Sequence, residues 1–159
     1  MTLDVPVFYS TQIKKEWLDY NNHMNVAYYV LVFDHAGEAL VESLGLGEAV
    51  TADTGISWMV LENHITYDDE VSLGQEVDIR IQVVDYDQKR LHLYYEMHVP
   101  GPEGYLASTL EQMMMCVELD ERRSAIFPEA VVKKIQALSE QQSHLERPEN
   151  IGRKIGLRK

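Results

Sequence analysis

The sequence predicts an α+β fold in which a curved antiparallel sheet of about five strands wraps one long central helix. Three observations carry that prediction. An apolar stripe at helical spacing runs from Val26 to Leu44. Alternating segments of 9 to 15 residues follow it, joined mainly by turns short enough for hairpins. Hairpins imply antiparallel neighbours, and a single sheet must then curl around the apolar helix to bury it.

Each element has its own warrant. Residues 5–17, VPVFYSTQIKKEW, have the β-branched and aromatic content of a first strand. Val26, Tyr29, Val30, Phe33, Gly37, Leu40, Val41 and Leu44 then form one continuous stripe, and Ala27, Leu31 and Val32 add apolar surface elsewhere. The helix is therefore expected to be buried on most sides, with Asn25 as its N-cap and Gly45 as its stop. Residues 55–67 alternate, with Ile56, Trp58 and Val60 on one face, and simple alternation adds Glu62 and His64 to it. Residues 76–84 put Val77, Ile79, Ile81 and Val83 on one side. Residues 85–90 read as a hairpin connection, 91–99 as the next strand, 100–104 as a second turn and 105–119 as the last long strand. A polar-faced helix from Glu129 to Gln141 follows. That arrangement is the hotdog fold. One sheet around one helix leaves edge strands open, so a homodimer, or a dimer of dimers, is expected.

At 159 residues the chain is long enough for one domain, placed at 1–145, with a basic tail at 146–159. From Arg147 onward, Arg147, Arg153, Lys154, Arg158 and Lys159 face only Glu149. This stretch carries +4 and the remainder −16, within a net charge of −12. Such acidity argues against nucleic acid as a partner. The longest apolar run, MNVAYYVLVF, is too short to cross a bilayer, and the opening residues do not resemble a signal peptide. Cys116 alone allows no intramolecular disulfide and no multi-cysteine metal site, which fits a reducing cytoplasm. No His, Asp or Glu grouping has metal-ligand spacing.

The stretch WLDYNNHMN, residues 17–25, places Asp19, Asn21, His23 and Asn25 at every second position before the helix begins. Backbone N–H groups opening a helix can hold a developing oxyanion, and Met24, Asn25 and Val26 occupy that position. Asp19 lies just upstream, where a carboxylate can attack an acyl carbonyl or deprotonate a water. Asn21 could hold that water or the carboxylate. His23 could donate to the carbonyl or to a neighbouring loop oxygen. The plainer alternatives are a cap at Asn25, a left-handed turn at Asn21 or Asn22, and a structural histidine at His23. Asp19 has the weakest structural explanation, because a carboxylate there is costly unless solvated or functional.

The Asp19-x-Asn21-x-His23 pattern resembles the hotdog acyl thioesterases, both the 4-hydroxybenzoyl-CoA thioesterase group and the plant acyl-ACP enzymes. HMNVAYYVLVFDHAGEAL (23–40), GISWMVLENHITYDDEV (55–71), KRLHLYYEMH (89–98) and LASTLEQMMMCVELDERRS (106–124) are together similar to betainyl-CoA thioesterases of bacterial carnitine breakdown. The resemblance implies hydrolysis of an acyl-CoA to acid and CoA, with CoA as part of substrate and product and no separate cofactor. Where this chain has Asn22, similar sequences commonly have Gly. Lys89, Arg90, Arg122 and Arg123 are candidate contacts for the CoA phosphates. Trp17, Tyr28, Tyr29 and Trp58 are candidates for an acyl group bearing trimethylammonium, and Glu62 is a second acid that could face the pocket across a dimer seam. Glu111 and Gln112 fall on opposite faces, so at most one reaches any given site. The alternatives are a thioesterase for an aromatic or medium-chain acyl-CoA, an enoyl-thioester hydratase and a non-catalytic acyl-CoA binding module. A hydratase is disfavoured, since those resemble Asp-x-Asn with His three residues later.

Overall fold

A computed structural model of the chain describes residues 4–159. The first strand, β1 (Val7–Gln12), leads through a single 3-10 turn at Lys15–Trp17 to the helix α1 (Val26–Ser43). Next come α2 (Glu48–Thr54), β2 (Ile56–Tyr67), β3 (Glu76–Tyr86), β4 (Arg90–Val99), β5 (Tyr105–Glu118), the two-residue β6 (Arg123–Ser124) and α3 (Glu129–Gln141). The strand order is β1-β3-β4-β5-β2, with β6 beside β5, and the ladders are antiparallel. Hairpins join β3 to β4 and β4 to β5. By contrast, β2 and β3 are separated by two strands, so their connection crosses the end of the sheet. The expected hotdog architecture is present.

Local chemistry fixes both ends of α1. Asn25 Oδ1 accepts the Ala27 N–H at 3.0 Å, which makes it the N-cap. Beyond Ser43, Gly45 takes φ 86°, and Leu46 N–H reaches back to Val41 O at 2.8 Å while Gly45 N–H donates to Glu42 O. This is a Schellman stop, for which glycine is the residue without strain. The buried face of α1 is Tyr29, Val32, Phe33, Ala36, Gly37, Leu40 and Val41. It packs on Ile79, Ile81, Leu91, Leu93, Tyr95, Met97, Leu110 and Met114 of the concave sheet, all essentially inaccessible to solvent.

One expectation is corrected here. The helix is not buried on most sides, because a single five-stranded sheet covers only one of its faces. Val26 and Val30 remain 56% and 40% exposed, beside exposed Asp34 and Glu38. Residues 48–54, for which the sequence patterns predicted no element, form the short helix α2, closed by Gly55 at φ 73°.

The sheet ends on β1 at one edge and on β2 at the other, where Met59, Val60 and Leu61 are 47%, 38% and 53% exposed. Leu61 is an extra residue against β5: Val60 pairs with Met114, but Glu62 pairs with Met113. A one-residue bulge reverses every later side chain. Trp58 therefore lies on the helix face, whereas Glu62 and His64 lie on the outer face, which overturns the face they were expected to share with Trp58. Asn63 instead turns inward, where its Oδ1 accepts from Gln112 Nε2 at 3.0 Å, and Gln112 Oε1 accepts the Tyr95 hydroxyl at 2.8 Å. Glu111 and Gln112 do occupy opposite faces, as expected.

The stretch after α3 is tied along the outer face. Gln82 Nε2 donates to Glu146 O, Asn150 Nδ2 to the Tyr94 hydroxyl, and Gly152 N–H to Glu111 Oε2.

Candidate active site

The turn before α1 is built by its own polar residues. Asp19 Oδ1 accepts the Asn21 N–H at 2.8 Å, an Asx turn, and Asp19 O accepts the Asn22 N–H at 3.0 Å. Asn22 takes φ 62°, the left-handed region that Asn tolerates and that Gly would enter freely. Asp19 N–H then donates to His23 O at 3.1 Å, closing the loop. With Oδ1 engaged, Asp19 Oδ2 takes no hydrogen bond among the described residues. The carboxylate is half-buried, anchored on one side and open on the other.

The start of the helix offers fewer donors than the sequence counted. Met24 N–H donates to Val71 O at 2.8 Å and Asn25 N–H to Trp17 O at 2.9 Å, while Ala27 N–H is spent on the Asn25 side chain. Val26 N–H carries no hydrogen bond among the described residues. The expected set of Met24, Asn25 and Val26 narrows to Val26. It is the first N–H of the helix, aligned with the positive end of its dipole.

His23 pairs with the loop after β2 through a bridge to Ser72, and its Nδ1 lies 3.2 Å from Glu70 Oε2. The neighbouring loop oxygen foreseen for His23 is thus a carboxylate. The same loop is pinned by the Tyr29 hydroxyl on Asp69 O and the Tyr105 hydroxyl on Glu70 O. Burial pushes the Tyr29 phenol up to about 12. The Tyr67 hydroxyl reaches Val26 O at 3.4 Å, and the Tyr67 ring meets Tyr29 edge-on at 5.1 Å.

The four aromatic candidates separate. Trp17 is buried and stacked on Tyr28 at 6.0 Å, and Lys14 Nζ already sits 5.2 Å from its ring. Tyr29 is core. Trp58 differs: it is half-buried and walls an open cleft of about 400 Å³ together with Glu38, Glu48, Thr51 and Ser57. Partial desolvation, then Asp34, hold the Glu38 carboxyl above its usual range, a Trp58 hydrogen bond opposes them, and Glu42 and Glu48 add to the rise. Sequence reasoning passed over Glu38, although Asp34, Glu38 and Glu42 recur every four residues on one helix face with no base among them.

The four basic candidates are gathered at one end of the sheet. Lys89 Nζ donates to Ser124 Oγ at 3.2 Å, and Ser124 and Met115 line both the cleft at Lys89–Arg90 and the adjoining one at Arg122–Arg123. Arg90 is paired with Asp87, and Arg123 with Glu121 at 2.6 Å. Among the described residues, Lys89 and Arg122 have no ion pair. This patch does not adjoin Asp19 in the same chain. Tyr105, at the start of β5, touches the loop beside His23, whereas Glu118 closes the strand near the basic patch. The 14 residues of β5 span roughly 40 Å at about 3.3 Å per residue. Glu62 sits apart from both, lining an outer-face cleft with His64, His92, Glu111 and Arg153. No group of His, Cys, Asp and Glu suited to a metal ion occurs among the described residues, and none of the helices described there is long and apolar enough to cross a membrane.

With this geometry in place, comparison with known proteins is specific. The thioesterase-like superfamily profile matches residues 13–135. A betainyl-CoA thioesterase of Pseudomonas aeruginosa is 40% identical over 94% of this chain and 93% of its own length. A Rhizobium meliloti protein described as L-carnitine dehydrogenase/betainyl-CoA thioesterase is 30% identical over 94% of this chain, which spans 30% of that longer protein. Among solved structures, a hypothetical Staphylococcus aureus protein in complex with CoA superposes with a TM-score of 0.89 at 34% identity, covering 97% of each chain. A DHNA-CoA thioesterase from the same species shares the fold, with a TM-score of 0.72 at 21% identity over 84% of this chain and 92% of its own. The chain belongs to the thioesterase-like superfamily.

Proposed function

We propose that this acyl-CoA thioesterase hydrolyses betainyl-CoA to glycine betaine and CoA, with Asp19 as nucleophile or general base and Val26 N–H as the oxyanion donor. The observation that carries the reading is that one turn holds both a half-buried, one-side-anchored carboxylate and the unengaged first N–H of α1. Full-length similarity to a betainyl-CoA thioesterase supports the choice of acyl group.

The chemistry follows from that arrangement. The thioester oxygen rests on Val26 N–H, where the helix dipole favours the negative charge that develops. Asp19 Oδ2 either adds to the carbonyl carbon, expelling CoA thiolate and leaving an anhydride that water opens, or removes a proton from a water that adds instead. Both routes consume one water and yield acid and thiol. Asn21, whose N–H holds Asp19 Oδ1, leaves the second oxygen available to react. No step calls for a cofactor beyond the CoA of the substrate.

A second copy of the chain completes the site. The open β2 edge, exposed at Met59, Val60 and Leu61, and the exposed Val26 and Val30 offer an apolar seam. Antiparallel pairing of two β2 edges about a two-fold axis carries the Ile56 end of one protomer toward the Tyr67 end of the other. The Lys89–Arg122 patch and the Trp58–Glu38 cleft of one protomer then approach Asp19 of the other. The first binds CoA phosphates and the second cradles the trimethylammonium group. A reducing cytoplasm suits the single, buried Cys116.

Thiol release from a panel of betainyl-, 3,3-dimethylbutyryl-, 4-hydroxybenzoyl-, octanoyl- and crotonyl-CoA tests the assignment. Betainyl-CoA is expected to give the highest kcat/KM. An equal or higher value for the aromatic or medium-chain ester, or hydration of crotonyl-CoA, contradicts it.

A further inference from the structure

We infer that the cationic segment 153–159 is a strap that closes over the phosphates of bound CoA. This role rests on the placement of those phosphates at Lys89 and Arg122 proposed above. Gln82, Tyr94 and Glu111 are register partners on β3, β4 and β5 and form one row across the outer face of the sheet. The chain after α3 is tied to that row at three points. Gln82 Nε2 donates to Glu146 O at 3.1 Å, the Tyr94 hydroxyl accepts from Asn150 Nδ2, and Glu111 Oε2 accepts the Gly152 N–H at 2.8 Å. Glu111 is itself fixed, because its Oε1 is hydrogen-bonded to His92 Nε2 at 2.8 Å. The chain therefore leaves the row from a held point on β5.

From Lys154 onward the chain is exposed and forms no hydrogen bond or ion pair among the described residues. Four of the seven residues from Arg153 to Lys159 are basic and none is acidic, so the segment carries +4 while residues 1–152 carry −16. Surface clefts lead from the anchor to the basic patch. Each shares a wall with the next, His92 first, then Arg90, then Ser124 beside Arg122. Met115 borders the patch and lies four residues along β5 from Glu111, roughly 13 Å at about 3.3 Å per residue. The seven residues after Gly152 reach roughly 23 Å when extended, so the strap spans the gap with length to spare. Charge decides when it closes. The empty patch repels it, and bound phosphates reverse the sign. On closing, Ile155 and Leu157, which are 94% and 92% exposed, cover Met113 and Met115 along the trough.

Limited trypsin digestion followed by mass spectrometry reads the strap itself, because its cations are cleavage sites. Cleavage tracks the population of the open form, so saturating CoA is expected to slow cutting after Lys154 and Arg158 by about fivefold or more. Pantetheine, which has no phosphates, should leave it unchanged. Calorimetric titration with CoA gives the second reading. The combined variant Lys154→Gln, Arg158→Gln and Lys159→Gln should bind CoA about 5- to 30-fold more weakly at low salt, a difference that shrinks at about 0.5 M NaCl because exposed charges are screened. Cleavage that CoA does not slow, equal protection by pantetheine, or a strap variant that binds CoA as tightly as wild type overturns the proposal. Lys89→Gln with Arg122→Gln tests the patch separately. If that variant binds CoA like wild type, the placement of the phosphates has failed; if only the strap variant does, the strap has. CoA itself is the probe, so a wrong acyl group leaves both measurements intact.

Discussion

Replacing Gly37 with Val probes the packing that brings the sheet around α1. A Cβ at this position would stand 3.1 Å from the Tyr95 hydroxyl and 3.3 Å from Trp58 Cη2. Trp58 is half-exposed and can give way. Tyr95 cannot, because its hydroxyl donates to buried Gln112, which in turn donates to Asn63. Val adds two methyl groups beyond Cβ, and overpacking of this kind costs about 1–3 kcal/mol. The exchange recovers roughly 0.4 kcal/mol of helix propensity. The expected net loss is about 2 kcal/mol, or roughly 4–8 °C in Tm for a chain of this size. Gly37→Ala is the control. Its propensity gain of about 1 kcal/mol offsets the squeeze at Cβ, and it should stay within about 1 kcal/mol of wild type. Urea unfolding followed by far-UV circular dichroism, at one fixed protein concentration, reads both. A Val variant as stable as wild type refutes the close approach of α1 to Tyr95 and Trp58.

Two further predictions concern the site. Asn25→Ala removes the acceptor of the Ala27 N–H; it should cost about 1 kcal/mol of stability and lower kcat through a frayed helix start, read by thermal melting beside steady-state rates. Trp58→Leu and Glu38→Gln should each reduce kcat/KM for betainyl-CoA by about 3- to 30-fold, the scale of a cation–π contact or a screened charge pair. Both should leave the uncharged 3,3-dimethylbutyryl ester nearly unaffected, and a parallel fall on both esters assigns these residues to packing.

The elements that sequence reasoning found are those whose signal is local. The Asn25 cap, the Gly45 stop, the long strands and α3 at Glu129–Gln141 each depend on residues a few positions apart, and the structure has them in place. The missed features depend on partners. The bulge at Leu61 follows from the register against β5 and leaves no trace in β2, so simple alternation carried Glu62 onto the wrong face. The open side of α1 follows from how much helix a single sheet can cover, and valines at 26 and 30 look no different from those beneath it. At the site, the clustering of Asp19, Asn21 and His23 was legible because they share one turn. The loss of Met24 and Asn25 as donors was not, since Val71 and Trp17 carbonyls arrive from other segments. Glu70 lay within a run of acids with no periodicity to single it out.

Turnover of betainyl-CoA by Asp19→Asn tests the central claim most directly. Asn keeps the size of the side chain and an oxygen for the Asn21 N–H, but it can neither attack nor take a proton. The account predicts a fall in kcat of at least about 100-fold, with the melting temperature and the affinity for CoA unchanged. A variant that keeps kcat within a few-fold of wild type contradicts it.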